Sequence, residues 1–183
     1  MLITISGLPG SGKTTLARLL GKRLGLPHVY AGDLFRQQAS ARGLSLEAFN
    51  ALAERDHRID RALDAEMVQY ARRGDCILEG RLAGFFAHTE GLDALKIWVT
   101  ASDETRARRV AGREQRDWQT VLQLNGDRHR SDAKRYREIY GFDLDDISLY
   151  DLILHSDSHT PEELAATVLA HLTERYGRTA VPQ

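Results

Sequence analysis

Gly7, Gly12, Lys13 and Thr14 stand in the order and spacing G-x-x-x-x-G-K-[ST], within the stretch Gly7, Leu8, Pro9, Gly10, Ser11, Gly12, Lys13, Thr14, Thr15. An apolar strand leads into Gly7, and a helical pattern opens at Lys13. Glycines allow the tight turn that aims successive backbone N–H groups at phosphate oxygens. The helix that follows adds free N–H donors and the positive end of its dipole. In this pattern the Lys13 ammonium reaches the β- and γ-phosphates and the Thr14 hydroxyl binds Mg²⁺. The spacing therefore implies a bound nucleoside triphosphate. A plain glycine-rich turn explains the glycines but not the Lys-Thr ending.

Further candidates are charged residues at the ends of later strands and in two helical stretches. Arg36 follows the second strand and Arg81 the third, together with Glu79 and Gly80. Arg128, Asp132 and Arg135 recur at i, i+4 and i+7, which places them on one helical face. Phosphoryl transfer between two nucleotides needs such residues, because two clusters of negative charge must be brought into line. Guanidinium forks bind phosphate oxygens bidentately and offset charge that develops during transfer. Glu79 is either a partner for a nearby arginine or the group that orients water on Mg²⁺. Arg106, Arg108 and Arg116 read as solvated faces or i,i+4 partners of Glu104 and other acids.

These residues must be positioned by alternating strands and helices. The first strand is about Leu2 to Ser6, and the next helix runs from Lys13 to about Leu24 with Leu16, Leu19, Leu20 and Leu24 on its inner face. Gly25 closes that helix, and Pro27 leads to a short strand near His28 to Tyr30. Three helices are expected next: Asp33 to Ala41, one begun at Leu46 under a Ser45 cap, and a longer one from Ile59 to Ala71. Strands at Cys76 to Leu78, Leu95 to Val99 and Leu152 to Leu154 complete the set. Between the last two, from Asp103, the pattern is helical and strongly basic. Thr160, Pro161, Glu162 and Glu163 form a helix start, and that helix runs to about Arg175. Short strands alternating with helices predict a five-stranded parallel sheet covered on both faces, a three-layer α/β/α fold. Ligands in such sheets lie beyond the carboxyl ends of the strands, where Gly7–Thr15, Gly32–Arg36 and Glu79–Arg81 all fall. One domain over 1–176 is expected, with helical insertions over about 32–74 and 103–140 and a frayed tail at 177–183.

Composition limits the alternatives. A net charge of −1 over 183 residues gives no global field toward nucleic acid or membranes, and no apolar run approaches a membrane span. Of the 25 basic residues only 4 are Lys, so an arginine counts as a candidate only where its position supports it. The single Cys76 excludes an internal disulfide and a multi-cysteine zinc site. With no basic-then-apolar leader at the N-terminus, a cytoplasmic location is expected. His155 and His159 have ligand-like spacing, but the Ser-Asp-Ser between them reads as a strand-to-helix loop. Trp98 reads as core, and Trp118 is left open. The Asn-Lys-x-Asp signature of a switch GTPase is absent from the chain.

Three stretches resemble cytidylate kinases, in the compact form typical of archaea: YAGDLFRQ at Tyr30–Gln37, EGRLAG at Glu79–Gly84, and DRHRSDAKRYREIYGFD at Asp127–Asp143. The likeness covers nearly the whole chain from Leu2 to about Leu172. It implies a P-loop nucleoside monophosphate kinase fold, with 32–74 as the acceptor-binding insertion and 103–140 as the lid. It further implies transfer of the ATP γ-phosphate to CMP or dCMP with Mg²⁺. By the same resemblance, Arg36 holds the acceptor monophosphate, Asp33 lies near it, and Arg81 with Gly80 makes a second acceptor contact. Arg128 and Asp132 engage the cytidine side, Arg135 bridges to the transferring phosphate, and Arg109 and Arg113 are lid arginines that clamp ATP. Small-molecule substrates, no nucleic acid, no membrane and a monomer are the expected partners and state. The alternatives are an adenylate or small-metabolite kinase, and an ATP-switched RNA-binding protein. An adenylate kinase would carry an Asp-Gly-Phe-Pro-Arg-like turn where this chain has Glu-Gly-Arg-Leu-Ala-Gly. An RNA-binding protein would show salt-sensitive affinity for nucleic acid that survives removal of CMP.

Overall fold

The computed structural model describes residues 1–53 and 55–177. Five parallel strands form one sheet: β1 Leu2–Ser6, β2 His28–Tyr30, β3 Cys76–Glu79, β4 Ala94–Thr100 and β5 Leu152–His155. Their spatial order is β2-β3-β1-β4-β5, with β1 paired to β3 and β4 on either side. The chain first crosses from β1 out to β2, returns to β3, and only then passes to the other side. The carboxyl ends of β1 and β3 therefore flank the point where the winding changes direction, which is where such sheets open a crevice. The phosphate-binding loop leaves β1 there, and Glu79 ends β3 beside it.

Strands covered on both faces read as near-continuous apolar runs. On one face Leu2, Cys76, Leu78, Ala94 and Trp98 pack with residues of α4 His57–Arg73, α5 Ala83–Thr89 and α7 Trp118–Tyr140. On the other, Ile3, Ile5, Ile77, Leu95, Ile97 and Val99 meet α1 Lys13–Leu24 and α8 Pro161–Tyr176. Trp98 is core, against Tyr150. Thr160 caps α8 in a reciprocal box with Glu163, as its sequence predicts. No helix among the described residues is long and apolar enough to cross a membrane. The expected tail lies, beyond Gly177, outside the described residues.

Several boundaries differ from the sequence expectation. Helix α2, Ala31–Ala41, starts straight from β2 with no loop, and Asp33 sits in its first turn rather than at its start. An acid there favours the N-terminal dipole, so Gly32-Asp33 does not break the chain. Helix α4 begins at His57, two residues early, because the Asp56 carboxylate caps it by accepting the Arg58 N–H at 3.0 Å. Ser45 does cap α3 Leu46–Ala53, accepting the Ala48 N–H at 3.2 Å. Helix α6 spans Asp103–Glu114. A third difference concerns α7, which lacks a run of Leu or Ile but packs Ala133, Tyr136 and Tyr140 against the main core. Small and amphipathic side chains supply the inner stripe in place of large aliphatic ones.

Candidate active site

The loop after β1 is shaped by contacts that only glycine permits. Gly7 has φ 144°, and a Cβ there would stand 2.2 Å from the Val99 carbonyl oxygen. Gly10, at φ 80°, would meet the Arg106 carbonyl oxygen at 2.4 Å. The loop is thus pressed between the end of β4 and the first turn of α6, and the Ser11 N–H closes it by donating to the Leu8 carbonyl at 3.3 Å. Pro9 and Leu8 offer their carbonyls inward: Leu8 accepts from the Lys13 ammonium at 2.8 Å. Ser11 is fully buried, Gly12 caps α1 in a left-handed conformation, and Thr15 is exposed. Desolvation in this nest depresses the Lys13 pKa to about 7. Glu79 opposes the shift, while the charges of Arg81, Arg128 and Arg106 add to it.

Glu79 is 1% exposed and has two partners. The Thr14 hydroxyl donates to Oε1 at 2.7 Å, and a His28 ring nitrogen meets Oε2 at 2.8 Å. No arginine pairs with it among the described residues, so the arginine-partner alternative for Glu79 falls away. A hydroxyl and a carboxylate converge instead on the space in front of the loop. His28 carries no motif in the sequence; its place comes from the pairing of β2 with β3, which sets it opposite Ile77.

Arg106 corrects the sequence reading of a solvated face. It is 7% exposed, donates to the Ala101 carbonyl at 3.2 Å and to the Pro9 carbonyl at 3.3 Å, and pairs with Asp103. Arg109, one turn's width away, donates to the Gly10 carbonyl at 3.3 Å and to Ser156 Oγ at 2.8 Å. Ser156 Oγ in turn donates to the Ser11 carbonyl at 2.8 Å. Asp157 next to it accepts the Ser102 N–H at 2.8 Å, so the β5–α8 loop, α6 and the phosphate loop are laced together. Arg113 is not part of this lacing: it is exposed and pairs with Glu114. Arg108 pairs with Glu104 and stacks over Trp118 at 4.1 Å, as an exposed i,i+4 partner should. We therefore expect Arg106→Ala to cost about 1–3 kcal/mol, by leaving two carbonyls without their donor, and to raise the KM for ATP. Arg108→Ala should cost under about 1 kcal/mol and leave that KM alone. Thermal melts with parallel ATP kinetics separate the two, and equal effects would refute the difference.

The second cluster lies at the end of β3 and on the inner face of α7. Arg81 and Asp132 form an ion pair, with side chains 13% and 6% exposed. Arg135 donates to Asp132 at 2.7 Å and, with its other arm, to Asp60 of α4 at 3.3 Å. Arg81 sits where desolvation, aided by the charge of Arg128 and then Arg135, depresses its pKa to about 10. Arg128 is exposed, and its charge bears on both Lys13 and Arg81. Arg81 follows Glu79 at the end of β3, which pairs with β1 and meets the loop through the Thr14–Glu79 hydrogen bond, so the cluster and the loop adjoin. Gly80 fits tightly here, since a Cβ would lie 3.2 Å from Ala31 Cβ and 3.3 Å from Met67 Cε. Arg36 pairs with Asp33 on α2 and lies over the Tyr30 ring, 5.4 Å from its centroid; both charged groups are half-exposed. Tyr30 itself is close enough to Arg81 to raise its pKa slightly against the larger depression.

Residues 2–158 match the model of the cytidylate kinase-like family. Among curated relatives, the cytidylate kinase of Methanopyrus kandleri is 48% identical over 170 residues, covering 89% of this chain and 88% of the relative. The cytidylate kinase of Pyrococcus abyssi is 43% identical over 176 residues, covering 96% of each. Solved structures share the fold at low identity: shikimate kinase from Acinetobacter baumannii in complex with shikimate is 14% identical at a TM-score of 0.61, covering 96% of this chain and 94% of that one. A gluconokinase from Sinorhizobium meliloti is 14% identical at 0.58, covering 94% and 91%.

Proposed function

The chain belongs to the cytidylate kinase-like family, and we propose that it transfers the γ-phosphate of ATP to CMP or dCMP, giving ADP and the cytidine diphosphate. The observation that carries this reading is the placement of the Arg81–Asp132–Arg135 cluster beside the phosphate loop, near enough for Arg81 to act on Lys13. A loop alone accounts for the donor triphosphate. A second, cationic cluster facing it accounts for an acceptor that is itself a phosphate.

In this reading Gly7 to Thr15 cradle the donor, and Lys13 turns from the Leu8 carbonyl to the β- and γ-phosphates. Arg109, fixed against the loop by Ser156, lies on the donor side, with Arg113 further out on the lid. Thr14 and Glu79 offer hard oxygen donors 2.7 Å apart, a set that fits Mg²⁺ held by one carboxylate, a hydroxyl, waters and substrate phosphates. When bound, that ion offsets charge on the β- and γ-phosphate oxygens. Arg36 and Arg81, with Gly80, hold the acceptor phosphate, and Asp33 holds Arg36. Arg128 and Asp132 face the cytidine, and Arg135 the transferring group. The attacking oxygen belongs to the acceptor phosphate, so no protein nucleophile is needed; the chain supplies position and charge. We assign 32–74 as the acceptor-binding insertion and 103–140 as the lid of one kinase domain over 1–176. A coupled assay of ADP release against CMP, dCMP, UMP and AMP should give the highest kcat/KM with CMP or dCMP. A preference for AMP, or turnover only with a non-nucleotide acceptor, would overturn the assignment.

A further inference from the structure

Arg135 is held from two directions. Asp132, three residues earlier on the same helix, takes one terminal nitrogen at 2.7 Å. Asp60, 75 positions away on α4, takes the other at 3.3 Å. Asp60 is only 13% exposed, and Arg135 is its one ion-pair partner among the described residues. A buried carboxylate with a single partner on another helix is costly to keep, because its desolvation is not offset by further hydrogen bonds. Burial raises the Asp60 pKa and Arg135 pulls it back down. With both terminal nitrogens engaged, the guanidinium plane is fixed by groups on two elements, and Nε is left buried with no protein partner.

A free arginine has many rotamers, and a phosphate contact that forms only during transfer depends on the guanidinium being in place beforehand. Asp132 alone, on the same helix, sets the distance but lets the plane turn about that one hydrogen bond. A second anchor from α4 removes this freedom. Because α4 belongs to the acceptor-side insertion and α7 to the lid, the anchor exists only while these two segments are together. Another cross-link lies further along the same pair of helices, where the Tyr140 hydroxyl donates to Asp64.

We propose that Asp60 is a positioning residue for phosphoryl transfer: its carboxylate locks the plane of Arg135 across the α4–α7 contact, so that the guanidinium is in place before the phosphate is transferred. This rests on the assignment of Arg135 to that phosphate. No part of it requires Asp60 to touch a nucleotide.

A double-mutant cycle on kcat tests it, with CMP and ATP saturating. Arg135→Ala should lower kcat about a hundred-fold and raise the KM for CMP much less, consistent with one lost cationic contact in the transition state. Asp60→Ala should lower kcat about ten-fold with the CMP KM within about two-fold, and Asp60→Glu should recover part of the loss. In the Arg135→Ala background, Asp60→Ala should cost nothing further in kcat. Tyr140→Phe, which breaks the neighbouring cross-link, should lower the melting temperature without touching kcat. The inference fails if Asp60→Ala costs the same with and without Arg135, or if Asp60→Ala and Tyr140→Phe lose melting temperature alike while both keep full kcat. A different failure, Arg135→Ala keeping wild-type kcat, would instead sink the assignment of Arg135 itself.

Discussion

Lys13→Ala should lose at least about a hundred-fold in kcat while its circular dichroism and melting temperature stay at or above those of the parent. The two halves of that expectation come from the same burial. The ammonium donates to the Leu8 carbonyl at 2.8 Å, and desolvation depresses its pKa from the ordinary 10.5 to about 7. A base whose folded pKa lies below its unfolded one is a cost to folding. That cost is full below pH 7 and is relieved as pH rises toward 10.5, because over that window the unfolded chain holds a proton that the folded chain has released. Removing the side chain therefore removes a burden on the fold, together with the charge that meets the donor phosphates. Triphosphate oxygens bring negative charge to the ammonium and should draw its pKa back up. At pH 8, ATP binding should then take up about one proton more in the parent than in Lys13→Ala, read as the dependence of calorimetric heat on buffer ionisation enthalpy. Equal proton uptake in the two proteins would show that Lys13 is already charged, and equal kcat would remove it from the donor site.

The donor half of this site is legible in the sequence because its information is local. Gly7, Gly12, Lys13 and Thr14 lie within eight positions, and the strand before them and the helix after them are the elements observed. Apolar runs likewise place β1, β3, β4 and β5, while β2, His28-Val29-Tyr30, is placed by the Gly25 and Pro27 before it. What the sequence hides is set by contacts between distant residues. Arg106 looks like any other arginine of a basic helix; its burial comes from the Pro9 carbonyl 97 positions away. Ser156 reads as loop until it is found donating to Ser11, 145 positions back. Helix α5 is only seven residues long and includes Gly84, where a Cβ would stand 2.3 Å from the Tyr150 ring. Such a short helix forms because its packing against β1 and β4 fixes it, since seven residues are too few to be helical on their own. The i, i+4, i+7 spacing of Arg128, Asp132 and Arg135 does identify a face, but it gives no sign that Asp60 meets that face from α4.

The residue on which the acceptor half turns is Asp132, and Asp132→Ala should destabilise the protein by about 3–5 kcal/mol, or roughly 6–20 °C in melting temperature for a chain of this size. Its carboxylate is 6% exposed and lies between two guanidiniums, Arg81 at 13% and Arg135 at 18%. Take it away and two partly desolvated cations face each other with no anion between them. Arg81 already has its pKa depressed to about 10 by burial and by the charges of Arg128 and Arg135. Arginine cannot relieve the strain by giving up its proton near neutral pH, so the penalty falls on the fold. Asp132→Asn keeps the volume and one acceptor oxygen, and should lose less. A site built to receive phosphate then makes a sharper demand. An added anion should substitute for the missing carboxylate, so inorganic phosphate or CMP should raise the melting temperature of Asp132→Ala by more than it raises that of the parent. A carboxylate whose only work was to contact the sugar of the acceptor would behave otherwise: its removal would leave stability intact and raise the KM for CMP alone. Melting curves of the two proteins with and without phosphate decide between these, because only a counter-ion can be replaced by an ion from solution.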